Sequence, residues 1–251
     1  MTANITPTDP GEKTFLERYN PDRFPRHSLA VDVAALSTFD GDLWALIIQR
    51  QSHPFREIMA LPGGFIGLDE SLGQAAARIL DRETGLKNVF LEQLYTFGDP
   101  GRDPRTRIIA VAYYALIDWE RMQHLKSQGH PMPLRLSVPW AGVSGGPVQI
   151  LDQEGNLLPL AFDHAEILGM AVKRIRGKLD YVPIGFQLLP SCFSLRQLQE
   201  VHETILNQKL NKDSFRRRML ASGLLKATGE LEEDVDHRPA ELYRFTRKSA
   251  I

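Results

Sequence analysis

Residues 64–86 read GFIGLDESLGQAAARILDRETGL and hold the charge pattern with the most chemical content in the chain. Ser71 followed by Gln74 is a reciprocal helix-start pair, and Leu72, Ala75, Ala76, Ile79 and Leu80 recur behind it at helical spacing. Positions 79, 82 and 83 are then i, i+3 and i+4 and share one face of the helix. Three carboxylates on that face would make a hard-oxygen nest for magnesium, which neutralises a pyrophosphate and orients water. This chain keeps one of them. Glu83 is present, Ile79 and Arg82 occupy the other two places, and the charge of Arg82 cancels that of Glu83. Asp81 lies about 100° round the helix from position 82, so no shift of register repairs the pattern. Just upstream, Gly63 and Gly64 would let backbone approach a phosphate closely. The expectation is a phosphate-binding frame without catalytic residues, a bound metal or a required cofactor.

At 251 residues and 43% hydrophobic, the chain has material for one large or two modest cores. A net charge of -1 excludes a polycationic protein while leaving room for a local basic patch. Cys192 is the one cysteine, so no intrachain disulfide exists and a reducing cytoplasm is the expected setting; Cys192 itself reads as a small core hydrophobe. No leader pattern opens the sequence and no apolar run approaches membrane-spanning length.

The elements that must position the box read as a mixed sheet flanked by helices, an α/β (α+β) arrangement over 28–162, behind a flexible arm at 1–27. Two β-rich runs, 28–38 and 43–51, meet at Asp40-Gly41, a hairpin signal, and two more cover 89–97 and 107–117. The polar loop between the latter pair carries Arg102 and Arg105. Residues 126–148 read as irregular, and a hairpin around Glu154-Gly155 follows. Asp163 with Glu166 predicts a capped helix over 163–179, taken with the connection to 190 as a linker. Its basic residues Lys173, Arg174, Arg176 and Lys178 make either a solvated face or a track for phosphates. His164 reads as a packing or capping residue.

Over 191–251, Ser194 with Gln197 caps another helix, a break at 207–210 follows, and a helix opening near Asn211 stops at Gly223. Two short helices with a tight break have the shape of a helix-turn-helix. Phe215 and Met219 point inward, which turns Arg217 outward with Arg216 and Arg218 beside it, while Lys212 and Ser214 sit in the turn best placed to reach a major groove. Two β-like runs, 224–227 and 240–245, make a wing with Arg238 at its base. The acidic run Glu230, Glu232, Glu233, Asp234 and Asp236 must point away from DNA, because phosphates repel it.

The frame Gly64, Glu70, Arg78, Glu83, Gly85 and Leu86 resembles a Nudix box, with glutamates missing at 79 and 82. The stretches 60–65, 97–105, 160–164, 215–217, 238–240 and 242–245 together resemble the NrtR family, Nudix-related regulators of bacterial NAD metabolism. The resemblance covers nearly the whole chain. It implies a homodimeric repressor with a degenerate Nudix domain that senses ADP-ribose or a related nucleotide, and a winged helix-turn-helix domain that binds operator DNA. The ligand contacts expected in this chain are Arg50, Gly63, Gly64, Arg78, Arg82, Glu83, Arg102 and Arg105. Relatives of the front half are active ADP-ribose pyrophosphatases, the alternative reading. The chain departs from the family in its acidic wing tip and its insertion over 126–158.

Overall fold

The computed structural model describes residues 9–126, 131–179, 181–233 and 238–246. It opens on helix α1 (Pro10–Arg18), which Asp9 starts by accepting from Gly11 N at 3.1 Å with Pro10 in the first turn. Of the arm expected at 1–27, residues 1–8 lie outside the described residues, and the rest is partly helical: an Asp-Pro pair is a helix start as well as a break.

Strands β1 (Ser28–Phe39) and β2 (Asp42–Gln49) form the predicted hairpin, with Asp40 and Gly41 both at positive φ in the turn. After β3 (Met59–Ala60) and β4 (Gly63–Phe65) comes helix α2 (Leu72–Thr84), with the Ser71–Gln74 capping box formed and Gly85 in the left-handed C-cap. Strands β5 (Phe90–Phe97) and β6 (Ile108–Leu116), helix α3 (Trp119–Lys126) and strands β7 (Met132–Ser137), β8 (Gln149–Leu151) and β9 (Leu157–Leu158) complete the sheet. Its order is β5-β6-β1-β2-β7-β8-β9, with β3 on β2 and β4 on β1; β1 and β6 run parallel and the other neighbours antiparallel.

Part of the stretch expected to be irregular is β7. Pro133 pairs opposite Leu46 on β2, while β8 reaches only Arg135–Ser137. A proline is tolerated there because β8 asks for no ladder hydrogen bond at that position.

Because β1 is buried on both faces, its side chains alternate between two cores. Val31, Val33 and Ala35 pack with Ala75, Ala76, Ile79 and Leu80 of α2; Ala34 and Leu36 pack on the opposite side. That opposite side is closed by helix α4 (His164–Lys178) through Ile167, Leu168, Ala171, Val172 and Ile175, and by Val201 and Ile205 of helix α5 (Leu195–Leu206). The segment expected as a linker is thus built into the sheet's own core. Gly169 lets the loop before β8 cross α4, since a Cβ there would collide with the carbonyl of Gly146.

The basic face of α4 is also corrected. Arg176 is buried, Arg174 donates to Leu94 O at 2.7 Å, and Lys178 pairs with Glu92. These cations are spent inside the protein, neither on the solvated face nor on a phosphate track.

The C-terminal part has its own core of Phe186, Phe193, Leu195, Leu198, Phe215 and Tyr243. It comprises β10 (Phe193–Ser194), α5, helix α6 (Lys212–Ala221), β11 (Leu225–Leu231) and β12 (Glu241–Phe245), the strands ordered β10-β12-β11. The first wing strand is longer than expected and β10 adds a third strand. Among the described residues, no helix is long and apolar enough to cross a membrane.

Candidate nucleotide and nucleic-acid sites

The loop from β4 to α2 is fixed by two residues of the box. Glu70 takes Arg78 in a bidentate pair (2.5 and 2.8 Å) and accepts from Gly67 N at 2.6 Å. The Arg78 bond and the Gly67 amide hold its carboxyl down to about 2. Arg78 also donates to Phe65 O at 3.1 Å. Both side chains therefore organise the frame.

On the working face, Ile79 is fully buried, and Arg82 lies in the open with Nε 2.8 Å from Glu83 Oε1 and Nη2 3.4 Å from Gly63 O. The glycines have a packing reason besides the one expected. A Cβ on Gly63 would run into the Asp32 carboxylate, and one on Gly64 would meet Arg82 Nη2 at 3.3 Å and Ile79 at 3.6 Å.

Across β1 lies a cluster that sequence reasoning missed. Arg102 is buried and donates Nε and Nη2 to Asp163 (2.8 and 2.6 Å) and Nη2 to Asp32 at 3.1 Å. Asp163 makes no side-chain cap for α4, contrary to expectation, because its carboxylate holds Arg102. Arg102 was expected on the ligand; its Nε and Nη2 are committed to these carboxylates. The overlooked signal was Asp32, a charge in the middle of the apolar run Leu29–Leu36. His164 is a packing residue as expected: its Nδ1 accepts from Leu61 N at 2.9 Å, and burial lowers its pKa and keeps it neutral.

Beside this cluster opens a pocket of about 570 Å³ lined by Phe55, Phe97, Asp99, Arg102, Phe162 and Glu166, among others. The rings of Phe55 and Phe162 meet edge to face at 4.9 Å, and both residues have left-handed backbone, at φ 61° and 54°. Strain of that kind, at two facing aromatic residues, is a mark of a functional wall. Arg50 sits 4.8 Å over the Phe162 ring and donates Nε to Pro54 O at 2.8 Å. Its pKa is lowered by burial first and by the like charge of Arg105 second. Arg105 is held by Asp103 (3.0 and 2.8 Å) with its guanidinium 5.6 Å over the Phe65 ring. The like charge of Arg105 depresses Arg50, while Asp103 raises Arg105; two guanidinia between aromatic walls make a place for an anion carrying a planar ring.

In the C-terminal part, α5 has the expected capping box and ends on Asn207 in the left-handed region. Asn211 starts α6 by accepting from Ser214 N at 3.0 Å. Phe215 is buried against the His202 ring at 5.1 Å, so Lys212, Ser214, Arg216 and Arg217 stand exposed on the outer face. Arg218 is also exposed but folds over the Phe215 ring at 5.6 Å. Arg238 lies exposed before β12.

Of the acidic run, Glu232 closes the wing by pairing with Ala240 through backbone and side chain, while Glu230 and Glu233 are exposed; Asp234 and Asp236 lie outside the described residues. Cys192 is half-buried rather than core, and accepts from Arg244 Nε at 3.1 Å.

Residues 185–245 match the NrtR DNA-binding winged helix domain and residues 26–130 the NUDIX domain. The chain is 35% identical over 237 residues to the ADPR responsive transcriptional repressor NtrR of Acinetobacter baylyi, covering 93% of this chain and 88% of that protein. It superposes on Shewanella oneidensis NrtR complexed with a 27mer DNA with a TM-score of 0.72 and 32% identity, over 87% of this chain and 93% of that one. Its front half is 29% identical over 136 residues to the ADP-ribose pyrophosphatase of Methanocaldococcus jannaschii, 54% of this chain and 70% of that one. A Nudix sheet and a winged helix in one chain, matched along almost their whole length, place this protein in the NrtR family.

Proposed function

We propose that this protein is a homodimeric transcriptional repressor of NAD-metabolism genes that binds a twofold operator through α6 and the wing, and binds ADP-ribose in its Nudix pocket. The observation that carries the reading is the outer face of α6. Lys212, Arg216 and Arg217 are presented to solvent by a helix whose other face is locked by Phe215, the geometry of a recognition helix. The likeness to a repressor named as ADPR responsive, and to a relative captured on DNA, supports it.

Phe55, Phe97 and Phe162 offer stacking surfaces for a base, and Arg50 and Arg105 offer phosphate contacts. Gel shifts on promoters flanking its own gene, titrated with ADP-ribose, test the reading. A specific complex that ADP-ribose dissolves is the expected result, and no complex on any flanking promoter would sink it.

The second reading is an active ADP-ribose pyrophosphatase, favoured by the likeness of the front half to such an enzyme. Against it stand Ile79 and Arg82 at two of the three positions that would supply carboxylates. Rapid release of AMP from ADP-ribose with magnesium would favour the second reading.

A further inference from the structure

Nudix chemistry implies magnesium, and the residues on the working face do not fit it. Magnesium wants oxygen donors in a tight octahedron. On this face Ile79 is fully buried in the α2 core, Arg82 supplies a cation, and Glu83 already accepts from Arg82 Nε at 2.8 Å. Glu70, the other acid of the box, is held bidentate by Arg78 and capped by Gly67 N. Among the described residues, no three His, Cys, Asp or Glu side chains converge to hold an ion.

Guanidinia stand at both ends of β4 instead. Arg82 Nη2 lies 3.4 Å from Gly63 O at one end of β4, Arg105 stands over the ring of Phe65 at the other end, and Arg50 is close enough to Arg105 for their like charges to interact. Arg82 keeps about half of its side chain exposed (54%), so it can turn from Glu83 to a ligand without unpacking anything.

We propose that Arg82 on one side of β4, with Arg105 and Arg50 on the other, neutralises a diphosphate in place of a divalent cation, so that the nucleotide binds without magnesium. The inference rests on reading the pocket as a nucleotide site. A guanidinium presents planar, permanently charged donors that match phosphate oxygens in pairs, and it neutralises charge without activating a water. That is a physical route to binding without turnover.

Calorimetric titration of the full chain with ADP-ribose, and separately with inorganic pyrophosphate, in EDTA and then in magnesium chloride, tests the proposal. The expected result is the same affinity in both buffers. Arg82→Gln should weaken binding about 10- to 100-fold, as the removal of a charge-assisted hydrogen bond does. Arg82→Glu places two carboxylates side by side and should bind poorly in EDTA and recover with magnesium. Both substitutions are at an exposed position, and an unchanged melting temperature confirms that they fold.

Binding that requires magnesium in the unaltered protein, or Arg82→Gln binding as tightly as the parent, would overturn the inference. So would failure of both ligands to bind in EDTA. Binding of pyrophosphate in EDTA with no binding of ADP-ribose in either buffer would leave the arginine site standing and defeat the ADP-ribose reading instead.

Discussion

Asp32, Arg102 and His164 are buried together, with half-buried Asp163 beside them, and Arg102 ties the two carboxylates. Arg102 neutralises two carboxylates that sit 70 and 61 positions away along the chain. Removing it leaves both unpaired in a desolvated site, so Arg102→Ala should cost about 3–5 kcal/mol in urea unfolding, far more than removal of a surface charge. His164 gives the site a pH dependence. Burial depresses its folded pKa, so above about pH 6.5 it is neutral in both states and contributes no slope. Below that, the unfolded chain takes up a proton that the folded chain refuses. Stability should therefore fall with falling pH, at up to about 1.4 kcal/mol per unit, until the folded pKa is reached. His164→Asn should flatten that slope between neutral pH and pH 5, as seen in urea midpoints across the range.

Local signals gave the helices well where the stabilising bond is local. The capping boxes at Ser71–Gln74 and Ser194–Gln197 are both formed, and Ser194→Ala should cost about 1 kcal/mol of thermal stability by stripping the start of α5. The same logic erred at Asp163, whose carboxylate had a stronger partner than its own helix. The outer face of α6 depends on Phe215 being inside, which periodicity alone indicated. The double change Arg216→Ala with Arg217→Ala should weaken operator binding without unfolding the wing. For every phosphate that no longer meets an arginine, the slope of log affinity against log salt should become shallower by about one unit. If one arginine reads a guanine instead, gel shifts on altered operators should show a base-selective weakening of about 1–3 kcal/mol.

At the level of the whole molecule, α4 runs from the pocket to α5. Asp163 and Glu166 lie at the pocket. About 20 Å along the helix, Arg176 donates Nε to Ile205 O at 2.7 Å in the last turn of α5, and Nη1 to Gly142 O at 3.1 Å. In the proposed homodimer, a twofold operator asks for recognition helices about 34 Å apart, so a small rotation of α5 would spoil the register. Coupling of that kind should change operator affinity about 5- to 150-fold on saturation with ADP-ribose, and operator should change ADP-ribose affinity by the same factor. Arg176→Met should keep ADP-ribose binding and shrink that factor toward one, which titrations of each ligand in the presence of the other would measure.

The sequence by itself determined the hairpin at Asp40–Gly41, the capped helices, the inward face of α6 and the absence of carboxylates at 79 and 82. All of these depend on bonds or periodicities spanning a few residues. Only the tertiary structure decided that α4 closes the sheet's core and that its cations are spent internally. It also decided that Gly63 makes room for Asp32, and that Arg102 is a buried tie. A charge type is written at its position. Whether that charge meets water, a ligand or another side chain depends on what distant segments bring beside it and how far they desolvate it, and no short window of sequence contains that.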